Sequence, residues 1–153
     1  MNFTEIPRFL VPVNTGFEAY VLPENNALWF TRVACAANLH TVDRQAILNG
    51  ILVPGASPLL IPSGATGSPA PTPDERFVAF NTFAEGKMYL AEHVGNQYVS
   101  RQLTELGIGA PSFLTPDACT LLFHASRSDA GAGGLDIYKA TREPPALHHA
   151  QRN

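Results

Sequence analysis

Residues 110–142 read Ala-Pro-Ser-Phe-Leu-Thr-Pro-Asp-Ala-Cys-Thr-Leu-Leu-Phe-His-Ala-Ser-Arg-Ser-Asp-Ala-Gly-Ala-Gly-Gly-Leu-Asp-Ile-Tyr-Lys-Ala-Thr-Arg. A short run at 112–114 enters Thr115-Pro116-Asp117. Proline presets φ inside a turn and aspartate can bond the backbone two residues on, so Pro116 and Asp117 predict a tight turn. Alternation over 120–125 places Leu121 and Phe123 on one face of a second strand. A glycine-rich loop then leads to a third run at 135–141, which makes three short antiparallel strands.

With Leu121-x-Phe123 as a ruler, Val78-x-Phe80 and Leu28-x-Phe30 match it, each just after a proline turn at Pro116-Asp117, Pro73-Asp74 and Pro23-Glu24. The prolines are spaced by 50 and 43 residues, within the range of a four-stranded propeller blade. Leu10, Leu60 and Leu103 each lie 13 residues before one of these prolines, in short apolar segments expected to form the outer strand of the preceding blade. The second repeat predicts strands at 68–72, 76–81, 87–92 and about 98–104, with Gly95-Asn96 as a hairpin turn. The first predicts strands at 17–22 and 27–32. Its stretch 33–40 has no clear period, and 41–52 is compatible with strand or helical turn.

Composition agrees with an all-β domain. Apolar residues make up 45 % of the 153 and charged residues 15 %, so a folded core rather than a disordered chain is expected. The 12 Gly and 13 Pro recur between short apolar runs. A net charge of −3 with no basic block argues against nucleic acid as a partner. No apolar run approaches the roughly 20 residues of a membrane span, and no signal peptide is visible at the start. Cys35 and Cys119 could pair in an oxidising compartment; two free side chains is the simpler reading.

The expected fold is therefore all-β: three propeller blades at about 15–62, 63–106 and 107–142, an outer strand near 9–14, and a polar tail at 143–153. The outer strands are offset by one, so the third blade lacks its own fourth strand while Leu10 precedes the first. Three blades are too few to close a ring, for which about four to eight are usual. The chain then reads as half of a six-bladed ring closed by a second copy. A slice of a longer propeller and a monomer with its first strand folded back are the alternatives.

The third repeat resembles the WD40-like propeller repeat of TolB and many bacterial envelope proteins. The resemblance rests on Pro111, Thr115-Pro116-Asp117, Phe123, Ser126-Arg127, the run 131–134 and Asp136-Ile137-Tyr138. The second repeat matches in part, through Thr72-Pro73-Asp74, Phe80 and Tyr89, and the first only weakly. The resemblance implies structural roles for Pro73, Asp74, Phe80, Tyr89, Pro116, Asp117, Phe123, Asp136 and Tyr138, and a location in the periplasm or envelope. The turn glycine of that repeat is replaced by Glu75 and Ala118, which predicts a turn geometry different from the family's.

Five residues stand out as candidates for ligand binding: Arg32, His40, Asp43, Arg127 and Asp129. Arg32 and Arg127 follow middle strands and could meet an anion at one rim, or pair with surface carboxylates. His40 and Asp43 lie three apart in the irregular stretch and could join a pocket. Asp129 and Asp136 flank the glycine-rich loop; Asp136 reads as a turn-fixing acceptor, with cation ligation as the alternative. His124, opposite in direction to Phe123, reads as a half-buried, hydrogen-bonded histidine. No Gly-x-Ser-x-Gly elbow occurs, and no catalytic residue, cofactor or metal ligand set is expected. The functional expectation is a non-enzymatic scaffold that binds a protein or an envelope ligand and assembles with itself. The alternative is a propeller enzyme of glycosidase or lyase type with a site in the central funnel.

Overall fold

The computed structural model describes residues 16–34, 39–48, 51–53, 60, 65–126 and 135–143. These form three antiparallel sheets and, among the described residues, no α-helix. Sheet 1 comprises β1 (Gly16–Leu22), β2 (Ala27–Ala34), β3 (Leu39–Leu48) and β4 (Ile51–Val53), in that order. Sheet 2 comprises β5 (Thr66–Pro71), β6 (Phe77–Thr82), β7 (Met88–Val94) and β8 (Gln97–Gln102). Sheet 3 has three strands, β9 (Ala110–Leu114), β10 (Thr120–Ala125) and β11 (Asp136–Thr141), with β11 at its edge. The arrangement is propeller-like. No helix of the described residues is long and apolar enough to cross a membrane.

Alternation puts opposite faces of sheet 2 into two different cores. Val78, Phe80 and Ala91 pack with Trp29, Val42 and Leu60 of the first repeat. Ala79, Met88 and Leu90 pack with Leu114, Leu121 and Phe123 of sheet 3. Sheet 2 therefore lies between the other two. Phe80 and Phe123 are buried at equivalent places, stacked on Tyr89 and Tyr138 with centroids 5.3 and 5.6 Å apart. Such pairs add about 0.5–1.5 kcal/mol beyond their burial. Inner-strand polar groups cross the seams: the Val42 N–H donates to Thr66 Oγ1 (2.9 Å), Ser68 N–H to Thr31 Oγ1 (3.0 Å), and Asn81 Nδ2 to the Gly109 carbonyl (3.1 Å).

The turns after β5 and β9 share one bonding plan. Thr72 Oγ1 lies 2.6 Å from Asp74 Oδ1, which also accepts from the Arg76 N–H; Thr115 Oγ1, Asp117 Oδ1 and the Cys119 N–H repeat this, again at 2.6 Å for the threonine. The Phe77 and Thr120 N–H groups donate back to the threonine hydroxyls. Pro73 and Pro116 preset these turns, as expected. Glu75 and Ala118 adopt φ of 57° and 55°, so the left-handed position is present without glycine. At the other end of sheet 2, Gly95 (φ 62°) makes the two-residue hairpin that pairs Val94 with Gln97.

Three expectations change. In the undecided stretch 41–52, the described residues are strand: 41–48 in a ten-residue β3 paired with β2 from Ala27↔Ala46 to Ala34↔Leu39, and 51–52 in β4. The outer strand of sheet 1 is β4, paired through Ala46↔Val53, and Leu60 lies outside the strands, buried between sheets 1 and 2. Leu103 likewise follows β8 rather than belonging to it, and the short 3-10 turn Thr104–Leu106 begins beyond it. Both leucines act as pegs beneath a seam.

Candidate functional site

Of the five sequence candidates, the structure brings Arg32 and Asp43 together, as an ion pair. Arg32 lies within β2, not beyond it, and its guanidinium pairs with the fully buried Asp43 of β3. The Arg44 N–H also donates to Asp43 Oδ1 (2.8 Å). A carboxylate held this way secures β2 to β3 and is not open to a ligand. His40 belongs to the same regular strand, with its Cα opposite Val33. Arg127 and Asp129 lie outside the described residues, as does Cys35. Asp136 opens β11 with its Cα opposite Ala125 and is exposed, and no bond from its carboxylate to another described residue is seen. His124 is half-buried, its Nδ1 3.2 Å from Ser112 Oγ, and Cys119 is a free thiol. Among the described residues no cluster of three or more His, Cys, Asp or Glu could hold a metal ion.

What does converge is a polar clamp on the seam between sheets 1 and 2. Glu75 Oε1 accepts from Trp29 Nε1 and Arg44 Nε, both at 2.6 Å, and Oε2 accepts from Arg44 Nη2 at 2.8 Å. The Tyr98 hydroxyl donates to the Glu75 carbonyl (2.9 Å), and Asn25 Nδ2 to the Pro73 carbonyl (2.6 Å). Trp29 meets Tyr98 edge-on at 6.0 Å. Burial alone would raise the Glu75 carboxyl, but the bonds from Arg44 and Trp29 outweigh it and hold the group below its ordinary 4.5. Arg44 is raised by its bond to Glu75, against burial. Burial, then the Glu75 charge, pushes Tyr98 up to about 12, so its hydroxyl keeps the proton it donates.

The seam between sheets 2 and 3 is built from counterparts of these residues, and the clamp is gone. The registers Phe77↔Glu92 and Thr120↔Thr141 superpose β6–β7 on β10–β11. By that alignment Glu75 corresponds to Ala118, and the register Ala27↔Ala46, which superposes β2–β3 on β6–β7, makes Ala79 the counterpart of Trp29 and Leu90 that of Arg44. A cavity of about 90 Å³ lies here, lined by Leu90, Leu103, Leu114, Leu121 and Ala140 with Arg142. A groove of about 410 Å³ shares Leu90, Arg101 and Arg142 with it and is edged by Glu92, Val94 and Val99. Arg142 Nε donates to the Ala118 carbonyl (2.7 Å), the bond that Tyr98 makes to Glu75 in the other seam. Its guanidinium also sits 5.2 Å from the Phe77 ring, while Nη2 is buried with no hydrogen-bond partner among the described residues. A buried donor left in this state favours an arriving acceptor.

Arg142, Glu75 and Arg44 were not legible as a set. They are single ionisable residues far apart in the chain, and only the sheet registers bring them to equivalent seams. No family model matches the chain, and no curated protein shows significant similarity to it.

Proposed function

We propose that this chain is a non-enzymatic scaffold, three blades of a six-bladed propeller whose ring is completed by a second copy. The observation that carries this reading is the outward face of sheet 3. Ile137 is 79 % exposed and Phe113 38 %, whereas Met88 and Ala70, their counterparts in sheet 2, are fully buried against sheet 3. Leu122 and His124 of the same face are half-buried. A face that its twin buries, and that carries a phenylalanine, a leucine and an isoleucine, is suited to packing on another sheet. Among the described residues no strand pairs with the outer edge of β11, and such an edge is of the kind sheet proteins normally pair or cover. Two-fold closure satisfies both seams at once, as an isologous interface does.

The resemblance to envelope propeller repeats extends this reading to a ring that presents its loops to a protein or an envelope ligand. Light scattering on the 153-residue chain tests the assembly. The expected mass is twice 16.5 kDa. Removal of residues 1–13 is expected to return a monomer. A full-length chain that is monomeric at tens of micromolar, or a truncated chain that still dimerises, would overturn the proposal.

A further inference from the structure

We infer that the cavity between sheets 2 and 3 binds a small aliphatic monocarboxylate, its charge on Arg142 and its tail among Leu90, Leu103, Leu114 and Leu121. The cavity stands where the other seam is filled. There the Glu75 side chain reaches from its left-handed position to Arg44. Here Ala118 has nearly the same φ, 55° against 57°, and ends at a methyl group, while Leu90 takes the place of Arg44. The space beside that shortened side chain is walled by leucine and offers water few hydrogen bonds. Apolar cavities take up apolar molecules: one of about 150 Å³ lined by Leu, Ile and Phe holds benzene. In proportion, about 90 Å³ accommodates a tail of about three to four carbons.

The rim carries the charge. Glu92, Arg101, Glu105 and Arg142 are the charged side chains that line the cavity or the groove beside it. Glu92 is taken by Arg76 at 2.9 Å, and Glu105 lies 3.8 Å from Arg101. Among the described residues no carboxylate pairs with Arg142: its Nε donates to the Ala118 carbonyl, and its Nη2 is buried without an acceptor. A guanidinium offers a carboxylate two parallel N–H bonds, each about twice as strong as a neutral one. A ligand carboxylate on Arg142 gives this seam the charge-assisted bond that Glu75 makes in the other. The negative charges of Glu92 and Glu105 oppose a second carboxylate on the ligand, which selects a monocarboxylate.

A free short-chain acid and the carboxyl end of a polypeptide with an aliphatic last residue share this chemistry. All the residues that form the site belong to one chain, so it goes beyond the two-copy ring and does not rest on it.

The test titrates the isotope-labelled, full-length chain with pentanoate and follows the amides of Ala118, Leu121 and Arg142 by NMR. Saturable shifts are expected, with a dissociation constant on the order of 1 mM. Propanoate, two methylenes shorter, is expected to bind about fifteenfold more weakly. Pentanamide, which has the shape without the charge, is expected to bind about tenfold more weakly. Arg142→Gln is expected to bring pentanoate down to the level of pentanamide and to leave pentanamide unchanged, which also reports an intact cavity. Ala118→Glu puts a carboxylate into the cavity from a φ at which Glu75 already stands, and is expected to abolish uptake. Acetyl-glycyl-leucine is the second arm: the tighter of it and pentanoate identifies the source of the carboxylate, and either order upholds the site. Amides that shift with neither ligand, equal binding of pentanamide, or unchanged uptake by both variants would overturn the inference. The mass of the assembly is read separately, and a monomeric chain that takes up pentanoate upholds the site without the ring.

Discussion

Glu75 occupies a backbone conformation that disfavours its own side chain. A left-handed φ of 57° costs a residue with a Cβ roughly 1–2 kcal/mol. The position persists because the carboxylate it projects takes donors from Trp29 and Arg44. Replacing Glu75 with Ala leaves the strain and removes the bonds, with an expected loss of about 1–3 kcal/mol, discounted for partial exposure. Replacing it with Gly removes both, so that chain is expected to be the more stable of the two by about 1 kcal/mol. Chemical denaturation of the pair separates backbone from side chain. The pH dependence has a definite sign. The folded carboxyl is held below 4.5, so its contribution is present above pH 4.5 and lost as pH falls through the folded value. The midpoint of the native chain is therefore expected to drop more steeply in acid than that of Glu75→Gln. A parallel dependence in the two chains would show that the clamp does not act through this ionisation.

At the scale of elements, what could be read beforehand depended on how many faces of a strand are buried. In β10, Leu121, Phe123 and Ala125 are buried and their neighbours only half-buried, and that alternation is visible in the residues. In β3, Val42, Asp43 and Gln45 are all buried, two of them polar, so no alternating pattern exists to be found. The threonine-proline-aspartate turns were legible because one short motif carries the whole bonding plan. Ala118 and Glu75 showed that a turn can keep its geometry when glycine is lost, for different reasons. Thr115→Val removes the acceptor for the Thr120 N–H and the donor to Asp117, with an expected cost of about 1–2 kcal/mol. Phe123→Ala empties a core position beside Tyr138, with an expected cost of about 3–5 kcal/mol. Urea titrations that ranked these two in the opposite order would show that the motif, and not the core, dominates sheet 3.

Across the whole molecule, leucine spacing misplaced the outer strands at Leu60 and Leu103, while the division into three sheets was readable from the proline spacing. The inequality of the seams was not, because it lies in pairs such as Trp29 with Glu75 that meet only through register. The exposed face of sheet 3 separates association from stability. Ile137→Lys is expected to change the stability of the monomeric, truncated chain by no more than about 0.5 kcal/mol, since the side chain is already in solvent. In the full-length chain it is expected to weaken the dimer, and unchanged sedimentation would count against this face as the contact.

The missing clamp between sheets 2 and 3 also bears on how the fold comes apart. Sheets 1 and 2 are riveted by charge-assisted bonds at their turns, while sheet 3 leans on sheet 2 through apolar contact over a small void and neutral bonds at Gly109. Local opening follows the weakest boundary. Amide exchange in a monomeric form should then reveal β9–β11 peeling away first, leaving β1–β8 as the slower-exchanging unit. Ring closure would act on that hinge of stability from outside, by fastening the part of the molecule that is least held from within.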